Sequence, residues 1–330
     1  MHVGRSYRLI DFALWSRRSV VYMVVVSLLA IGLYHMPGMA GFSLPWQVVV
    51  VLGTTVSLVA GFKNAQVLSR AGEALQLFAQ IAATSRLWTS LCRDFADADI
   101  ARILIYRHLA WLTALRFSLR RPMPWETIAR PANREFRRRY NIQEDKSSLQ
   151  AEIEPLLGSG DAATVLAARH RPLQVLDLQG RHLNQLLKEA ALPPPIYGEL
   201  IKSMREIHDQ QSRADRIKNN PYPRQYAIVG TMFVAIFCTM LPFGTVALFA
   251  ELDDVLGAAA IWLTIPFSTL LGWMYMSLDQ VGESTSNPFE GNANDVPISQ
   301  ICRDIEIDLR SALGETDLPT PLPAINGFAT

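Results

Sequence analysis

The chain has 330 residues and a formal net charge of +1, with 31 lysines and arginines against 30 aspartates and glutamates. This near-neutral balance gives no argument for a nucleic-acid partner. Half of the residues are hydrophobic, and the acidic and basic residues are kept out of four long apolar segments, which no soluble fold requires. Three scattered cysteines without metal-ligand spacing are expected to be reduced thiols, namely Cys92, Cys238 and Cys302.

The first predicted elements form a membrane hairpin with apolar spans at residues 20–36 and 42–62. A second hairpin lies far downstream, with spans at 226–250 and 255–278. A bilayer core of about 30 Å is crossed by roughly 20 apolar helical residues. The first span is a little short, and residues 13–15 can extend it into the interface. The predicted fold class is therefore an all-α membrane protein with four transmembrane helices in two hairpins.

Basic residues mark the same end of each hairpin. They flank the first at Arg5, Arg8, Arg17, Arg18, Lys63, Arg70, Arg86 and Arg93, and they precede the second at Arg213, Arg216, Lys218 and Arg224. The first link is uncharged, and the second carries Glu251, Asp253 and Asp254. The positive-inside rule then predicts a multi-pass protein of the cell inner membrane with both termini cytoplasmic. A signal peptide is the alternative for the N-terminus, but a second apolar arm follows at once.

The segments divide the chain into five parts. Residues 1–63 hold the N-terminal segment and the first hairpin, 64–220 a helical cytoplasmic region, and 221–280 the second hairpin. Residues 281–313 are predicted to form a cytoplasmic turn and an amphipathic helix, because apolar residues recur at three- and four-residue spacing. Residues 314–330, rich in proline and threonine, are predicted to be a disordered tail.

Turn and cap residues predict the finer structure of the soluble parts. A short basic helix is expected near 126–140 and a loop at 158–160. Prolines 193–195 should end one helix and begin the next. Asp295 is the expected N-cap of the last helix, with Pro297 early in it.

The second span has two kinds of stripe at four-residue spacing. Small residues that would allow close helix packing recur at Gly53, Ser57 and Gly61. One position along, a second stripe consists of Thr54, Leu58 and Phe62. Several copies of this stripe around an axis would form stacked rings, and a narrow apolar ring can block ions by dewetting. The alternative is that these residues simply face lipid or the protein core.

The third and fourth spans each carry a proline, Pro242 and Pro266. Broken helices in matching hairpins can mark a secondary transporter, although a kink satisfied by neighbouring helices is the favoured explanation. No ionisable residue lies deep inside a span, which argues against a proton relay. An enzyme has little support, because the histidines show no metal spacing and no glycine-rich phosphate loop occurs. A basic cluster predicted to face solvent or lipid headgroups rather than nucleic acid consists of Arg134, Arg137, Arg138 and Arg139.

Over nearly its full length the chain resembles a bacterial bestrophin. The resemblance is carried by motifs in fixed order, at residues 7–11 (YRLID) and 15–19 (WSRRS), 58–64 (LVAGFKN), 241–244 (LPFG), 287–291 (NPFEG) and 294–298 (NDVPI). It implies a homopentameric ion channel with a single central pore, four membrane helices in each subunit and a large helical cytoplasmic region.

The resemblance also implies which residues line the pore. The narrow neck falls on Thr54, Leu58 and Phe62, and Thr54 is more polar than the family pattern. A second constriction at the cytoplasmic exit falls on Leu183. Lys63, directly after the neck, would favour anions at the pore entrance if it faced the pore.

The implied function is passage of small monovalent ions through an apolar neck. Animal members pass chloride and other small anions, whereas some bacterial relatives favour monovalent cations, so both signs stay open. The calcium clasp of animal members needs a dense acidic run, and only Glu290 and Asp295 stand here, so no metal or cofactor is expected. A secondary transporter remains the alternative.

Overall fold

The chain folds into ten α-helices over the part that the structure, a computed structural model, describes, which is residues 1–4, 9–39, 41–252 and 257–330. In order they are α1 Leu9–Tyr34, α2 Trp46–Phe95, α3 Ala98–Arg120, α4 Pro131–Arg137, α5 Leu149–Ala167, α6 Arg171–Lys188, α7 Pro194–Asn219, α8 Arg224–Ala250, α9 Thr264–Ser284 and α10 Ile298–Ala312. Two short 3₁₀ turns lie at Gln143–Asp145 and Ala260–Leu263. Predictions that involve Arg5, Tyr7, Arg8, Asp253, Asp254 and Val255 fall outside the described residues.

Four described helices are long and apolar enough to cross a membrane, at Ile10–Tyr34, Trp46–Phe95, Arg224–Ala250 and Ala260–Ser284. Both α1 and α2 pack on the pair α8 and α9, and scarcely on each other. They therefore lie on opposite sides of that pair. The α1–α9 approach is close at Gly272, where a Cβ atom would lie 2.3 Å from the methyl carbon of Met23.

The second helix continues without a break from the predicted span into the region predicted to be soluble. Its 50 residues make it about 75 Å long at 1.5 Å per residue. The predicted boundary at residue 63 is therefore not a structural boundary. The residues beyond Phe62 are mostly good helix formers, and Gly72 alone does not interrupt them.

The lower half of α2 is part of a large helical core with α3, α5, α6, α7 and α10. Aromatic rings fill its centre, where His108 lies between Trp88 and Trp111 with ring centroids 6.1 Å and 5.1 Å away. Burial lowers the pKa of His108 to about 3, so its imidazole is neutral. Its Nε2 lies 2.9 Å from Oγ of Ser85. This histidine is a packing residue.

Some local predictions differ from the structure. The basic helix expected at 126–140 is only the seven-residue α4. The loop expected at 158–160 is a kink inside α5, where Gly158 has a φ of +75° and the helix resumes after it. Pro266 lies in the first turn of α9, and Pro242 lies within an uninterrupted α8, so neither proline breaks a span in two. The helix start predicted within prolines 193–195 is confirmed, and the helix begins at Pro194.

The turn after α9 is held by a buried carboxylate. Glu290 is 1% exposed and accepts hydrogen bonds from the backbone N–H and the hydroxyl of Thr127, at 2.8 Å and 2.5 Å. The side-chain amides of Asn287 and Asn292 also donate to it. Phe289 packs edge-on against Phe78 of α2 at 5.6 Å. These contacts fix the turn to α2 and to the segment before α4.

Asp295 does not cap the last helix. Its Oδ2 accepts the backbone N–H groups of Gly291 and Asn292 at 2.7 Å and 2.9 Å, so it closes the turn instead. The helix begins at Ile298 with Pro297 as its N-cap residue. Two more donors hold the same turn, because Arg120 of α3 donates to the carbonyl of Phe289 at 3.1 Å and Tyr140, after α4, donates to that of Gly291 at 3.0 Å.

The tail at 314–330 is packed on the protein, in contrast to the prediction of disorder. Phe328 is 5% exposed and contacts the rings of Phe136 and Tyr140 at 5.3 Å and 5.2 Å. The backbone N–H of Val3 donates to Gly327 at 2.8 Å. Composition alone predicts disorder, but one buried aromatic residue and backbone pairing with the N-terminus order this segment.

The contribution of Glu290 and Asp295 to protein stability is expected to fall as the pH rises from about 5 to 8, whereas the lowered pKa of His108 gives a contribution of opposite sign below about pH 6.5. Burial raises the pKa of Glu290 from 4.5 to about 8 and that of Asp295 from 3.8 to about 7, and the Asp295 carboxylate raises the pKa of Glu290 further. The folded protein then holds more protons than the unfolded chain across this window, so the free energy of unfolding decreases as they are lost. The slope is at most about 1.4 kcal/mol per pH unit for each proton.

The measurement is the melting temperature of the detergent-solubilised protein at several pH values. Glu290→Gln should flatten the pH profile. Asp209→Asn, which changes a carboxyl with 68% side-chain exposure on α7, should leave the profile unchanged. A Glu290→Gln profile with the same slope as the wild-type profile between pH 5 and 8 contradicts this prediction.

Candidate pore-lining helix and its supports

One side of the membrane-spanning half of α2 is exposed, and the predicted neck residues lie on it. Leu58 and Phe62 are 61% and 66% exposed, and Thr54 is also exposed. The opposite side of the same turns is buried against α8 and α9 at Val56 and Ala60. At 100° per residue, Leu58 and Phe62 point away from that buried side. The three neck residues therefore share one surface that the single subunit leaves uncovered.

Thr54 is less polar in this position than its side chain suggests. Its hydroxyl donates to the backbone carbonyl of Val50, one turn earlier, at 2.9 Å. Because the hydroxyl proton is used within the helix, Thr54 offers mainly its methyl group and one oxygen lone pair to the exposed side.

The stripe of small residues lets α2 pack closely on α8 and α9 within the subunit. A Cβ atom at Gly53 would lie 2.8 Å from the ring of Phe237 on α8. The hydroxyl of Ser57 lies 2.6 Å from that of Tyr275 on α9. Gly61 has no atom within 4 Å of its Cβ direction. Two of the three small residues thus permit close packing within one subunit, and Gly61 faces open space.

Lys63 does not lie at a pore entrance. Its Nζ lies 2.6 Å from Oδ1 of Asp279 on α9, and the two side chains are 5% and 9% exposed. Nζ also lies 3.4 Å from the hydroxyl of Thr231 on α8. The residue following Phe62 is rotated by 100° around the helix, which turns it from the exposed side to the buried side. Lys63 therefore forms a buried ion pair that ties α2 to α9.

Asn64 adds a second contact between the same helices. Its amide nitrogen lies 3.5 Å from the carbonyl oxygen of Leu278. A Cβ atom at Gly282 would lie 2.0 Å from Oδ1 of Asn64, so only glycine allows α9 to approach here. Sequence reasoning missed Asp279 and Gly282 because both are far from α2 in the chain.

Leu183 does not line an aperture of this subunit. It is 0% exposed and lies in the core with Val175, Leu176 and Leu186. The exposed side of α6 carries Leu173, Asp177, Arg181, Asn184 and Lys188. The resemblance placed the constriction on this helix, but the residue chosen lies on its buried side.

The described residues contain no group of three or more histidines, cysteines or acids that could hold a metal ion. The three cysteines are free and buried, and burial raises the pKa of the Cys302 thiol to about 12. These thiols are therefore protonated and serve in packing. The exposed stripe on α2, supported from behind by the Lys63–Asp279 pair, is the feature of the membrane half that is suited to a function.

Comparison with known proteins agrees with this architecture. A family model described as bacterial/fungal bestrophin protein matches residues 14–311. The voltage-dependent anion channel-forming protein YneE of Salmonella typhi is 26% identical over 275 residues, which cover 82% of this chain and 77% of that protein. YneE of Escherichia coli K12 is 25% identical over 295 residues, covering 85% and 84%.

Solved structures share the fold. The crystal structure of a bacterial bestrophin homologue from Klebsiella pneumoniae has a TM-score of 0.75 at 23% identity, with 91% of this chain and 98% of that chain covered. A variant of the same homologue has a TM-score of 0.73 at 24% identity, with 89% and 98% covered. Because the family model spans most of the sequence, the protein belongs to the bacterial and fungal bestrophin family.

Proposed function

We propose that the protein is an ion channel in which several copies, five by analogy with its family, surround a pore lined by α2. The observation that carries the proposal is the exposed stripe of Thr54, Leu58 and Phe62 on a helix whose other side is buried. A single subunit encloses nothing with this stripe. Copies arranged around an axis would turn each of its residues into a ring.

The proposed rings of Leu58 and Phe62 form the gate. Both side chains are apolar, so a narrow constriction made from them empties of water and blocks ions without a charged plug. Phe62 lies one helical turn from Leu58, which makes the constriction at least two rings deep. Because α2 continues to Phe95, the same helix extends the proposed pore into the soluble region.

We propose that the permeant species are small monovalent ions, with anions favoured and monovalent cations as the alternative. The related proteins named as anion channel-forming support the anion assignment. The neck itself does not select the sign, because Lys63 is buried and neutralised by Asp279. The transporter alternative has lost its main support, since neither Pro242 nor Pro266 divides a span.

We propose a multi-pass placement in the cell inner membrane with both termini cytoplasmic. The N-terminal residues pair with the tail through Val3 and Gly327. The tail in turn packs on the segment around α4 through Phe328. Both ends of the chain thus lie with the soluble region, as the positive-inside rule requires for a chain with its basic segments in the cytoplasm.

Truncation of the gate residues should open the channel. Leu58→Ala or Phe62→Ala widens and wets the constriction, and open probability in planar bilayers should rise about tenfold, which corresponds to ~1.4 kcal/mol. Leu29→Ala is the matched control, because Leu29 is 56% exposed on α1, which scarcely contacts α2. The channel assignment would be disproved if the wild-type protein and both variants passed no current.

The sign of the permeant ion can be measured from reversal potentials. In asymmetric KCl, the reversal potential should lie on the chloride side of zero, and replacement of chloride by a large organic anion should reduce the current. A reversal potential near the potassium equilibrium value would instead establish the cation alternative.

Lys63 should contribute to stability and not to ion selectivity. Lys63→Met leaves Asp279 buried without a partner and should cost about 3–5 kcal/mol, seen as a lower melting temperature, while the reversal potential stays unchanged. The double variant with Asp279→Leu should recover much of the loss, because an apolar pair of similar size replaces the ion pair.

The control is an exposed ion pair between the lower half of α2 and α10. Arg86 and Asp308 lie 2.7 Å apart with side chains 56% and 46% exposed, so Arg86→Met should cost less than about 1 kcal/mol. If Lys63→Met shifts the reversal potential without a loss of stability, Lys63 faces the pore and the prediction is wrong.

A further inference from the structure

A cleft of about 410 Å³ lies where α1, α8 and α9 meet the segment around α4. One part of its wall is polar and includes Arg18, Arg130 and Gln280. The other part is apolar and runs along the membrane helices through Val234 and Met276. The cleft therefore joins a cationic mouth to an apolar wall, and its size is within the range of small-ligand sites.

The cleft is on the side of the subunit that faces away from the stripe on α2. It borders α1, and α1 and α2 lie on opposite sides of the α8–α9 pair. Beside it, α8 has exposed apolar residues, with Met232 and Ile236 52% and 40% exposed. With these helices across a bilayer and this side outward, Met232 and Ile236 would contact lipid chains. The cleft would then open where lipid chains and headgroups meet.

The ion pairs at the mouth leave an excess of positive charge. Arg17 and Arg18 share one carboxylate, Glu135, at 3.0 Å each. Arg130 pairs with Glu283. Two acids, Glu135 and Glu283, thus pair with three arginines, of which Arg18 and Arg130 line the cleft. The other acid in the wall, Asp279, is neutralised by Lys63 and adds no free negative charge.

The arginines keep donors available for a ligand. In the contacts of the described residues, the Arg18 side chain uses only Nη2, on Glu135, and that of Arg130 only Nη1, on Glu283. Each guanidinium has five N–H donors in a planar fork. The two side chains are 55% and 53% exposed, so the remaining N–H groups can reach a phosphate in the cleft.

We propose that this cleft binds one anionic phospholipid per subunit. The phosphate is held by Arg18 and Arg130, because one guanidinium group can donate two parallel N–H bonds to two phosphate oxygens. An acyl chain lies along Val234 and Met276. A zwitterionic lipid fits less well, because its ammonium group meets the same cationic mouth. Membrane placement is sufficient for this site, and neither a pentamer nor conduction is required.

The test measures lipid retention by native mass spectrometry of the detergent-purified full chain supplied with equimolar phosphatidylglycerol and phosphatidylcholine. The wild-type protein should retain phosphatidylglycerol in preference. Each arginine charge near such a headgroup contributes about fivefold, so Arg18→Gln with Arg130→Gln should reduce the preference about 25-fold. Arg205→Gln is the matched control, because Arg205 is an exposed arginine in the middle of α7.

A variant that is expected to increase lipid preference distinguishes an effect on binding from an effect on folding. Glu135→Gln removes the shared carboxylate from Arg17 and Arg18, and the preference for phosphatidylglycerol should increase. Arg18→Gln alone, on the exposed side of α1, serves if the double variant does not fold, and it should reduce the preference about fivefold.

Three outcomes would overturn the proposal. The wild-type protein could retain both lipids equally, or the arginine variants could retain phosphatidylglycerol as the wild type does. Inorganic phosphate at millimolar concentration could also raise the melting temperature as much as phosphatidylglycerol does, which would assign the site to a free anion. Binding is read without current, so these outcomes are independent of whether the protein conducts.

Discussion

The rotation of α2 about its own axis is the constraint on which the rest of the proposed pore depends. Gly53, Ser57 and Lys63 fix it at successive turns, by close packing, by a hydroxyl contact and by a buried ion pair. All three contacts are with α8 or α9. Leu58 and Phe62 are exposed because the other side of the helix is occupied in this way. A rotation of α2 that brought Lys63 to the place of Phe62 would break the buried ion pair with Asp279 and expose the lysine.

The length of α2 makes this constraint extend beyond the membrane. An unbroken helix from Trp46 to Phe95 cannot move at Phe62 and stay still at its far end unless it bends or tilts. Its lower half is held by α7 and α10, for example through the exposed pair of Arg86 and Asp308. The region predicted to be soluble therefore holds in position the helix that carries the proposed gate.

Periodicity in the sequence identified the stripe and the small-residue positions, because both depend only on local helix geometry. It could not identify the partner of Lys63, since Asp279 lies more than 200 positions away. Leu183 illustrates a different failure. The apolar residues Val175, Leu183 and Leu186 of α6 are spaced as on the buried side of a helix. The family resemblance nevertheless predicted that Leu183 lines the pore. The tail was missed because its order depends on contacts with distant segments.

The two charged clusters at this end of the membrane helices meet on α9. Asp279 pairs with Lys63 on the side of α2, and Glu283 pairs with Arg130 at the proposed lipid cleft. The two acids are one helical turn apart and both line the cleft. A lipid phosphate that accepts hydrogen bonds from Arg130 would therefore bind one helical turn from the Lys63–Asp279 pair, which holds α2 against α9. A single helix thus connects the proposed lipid site to the element that sets the orientation of Phe62.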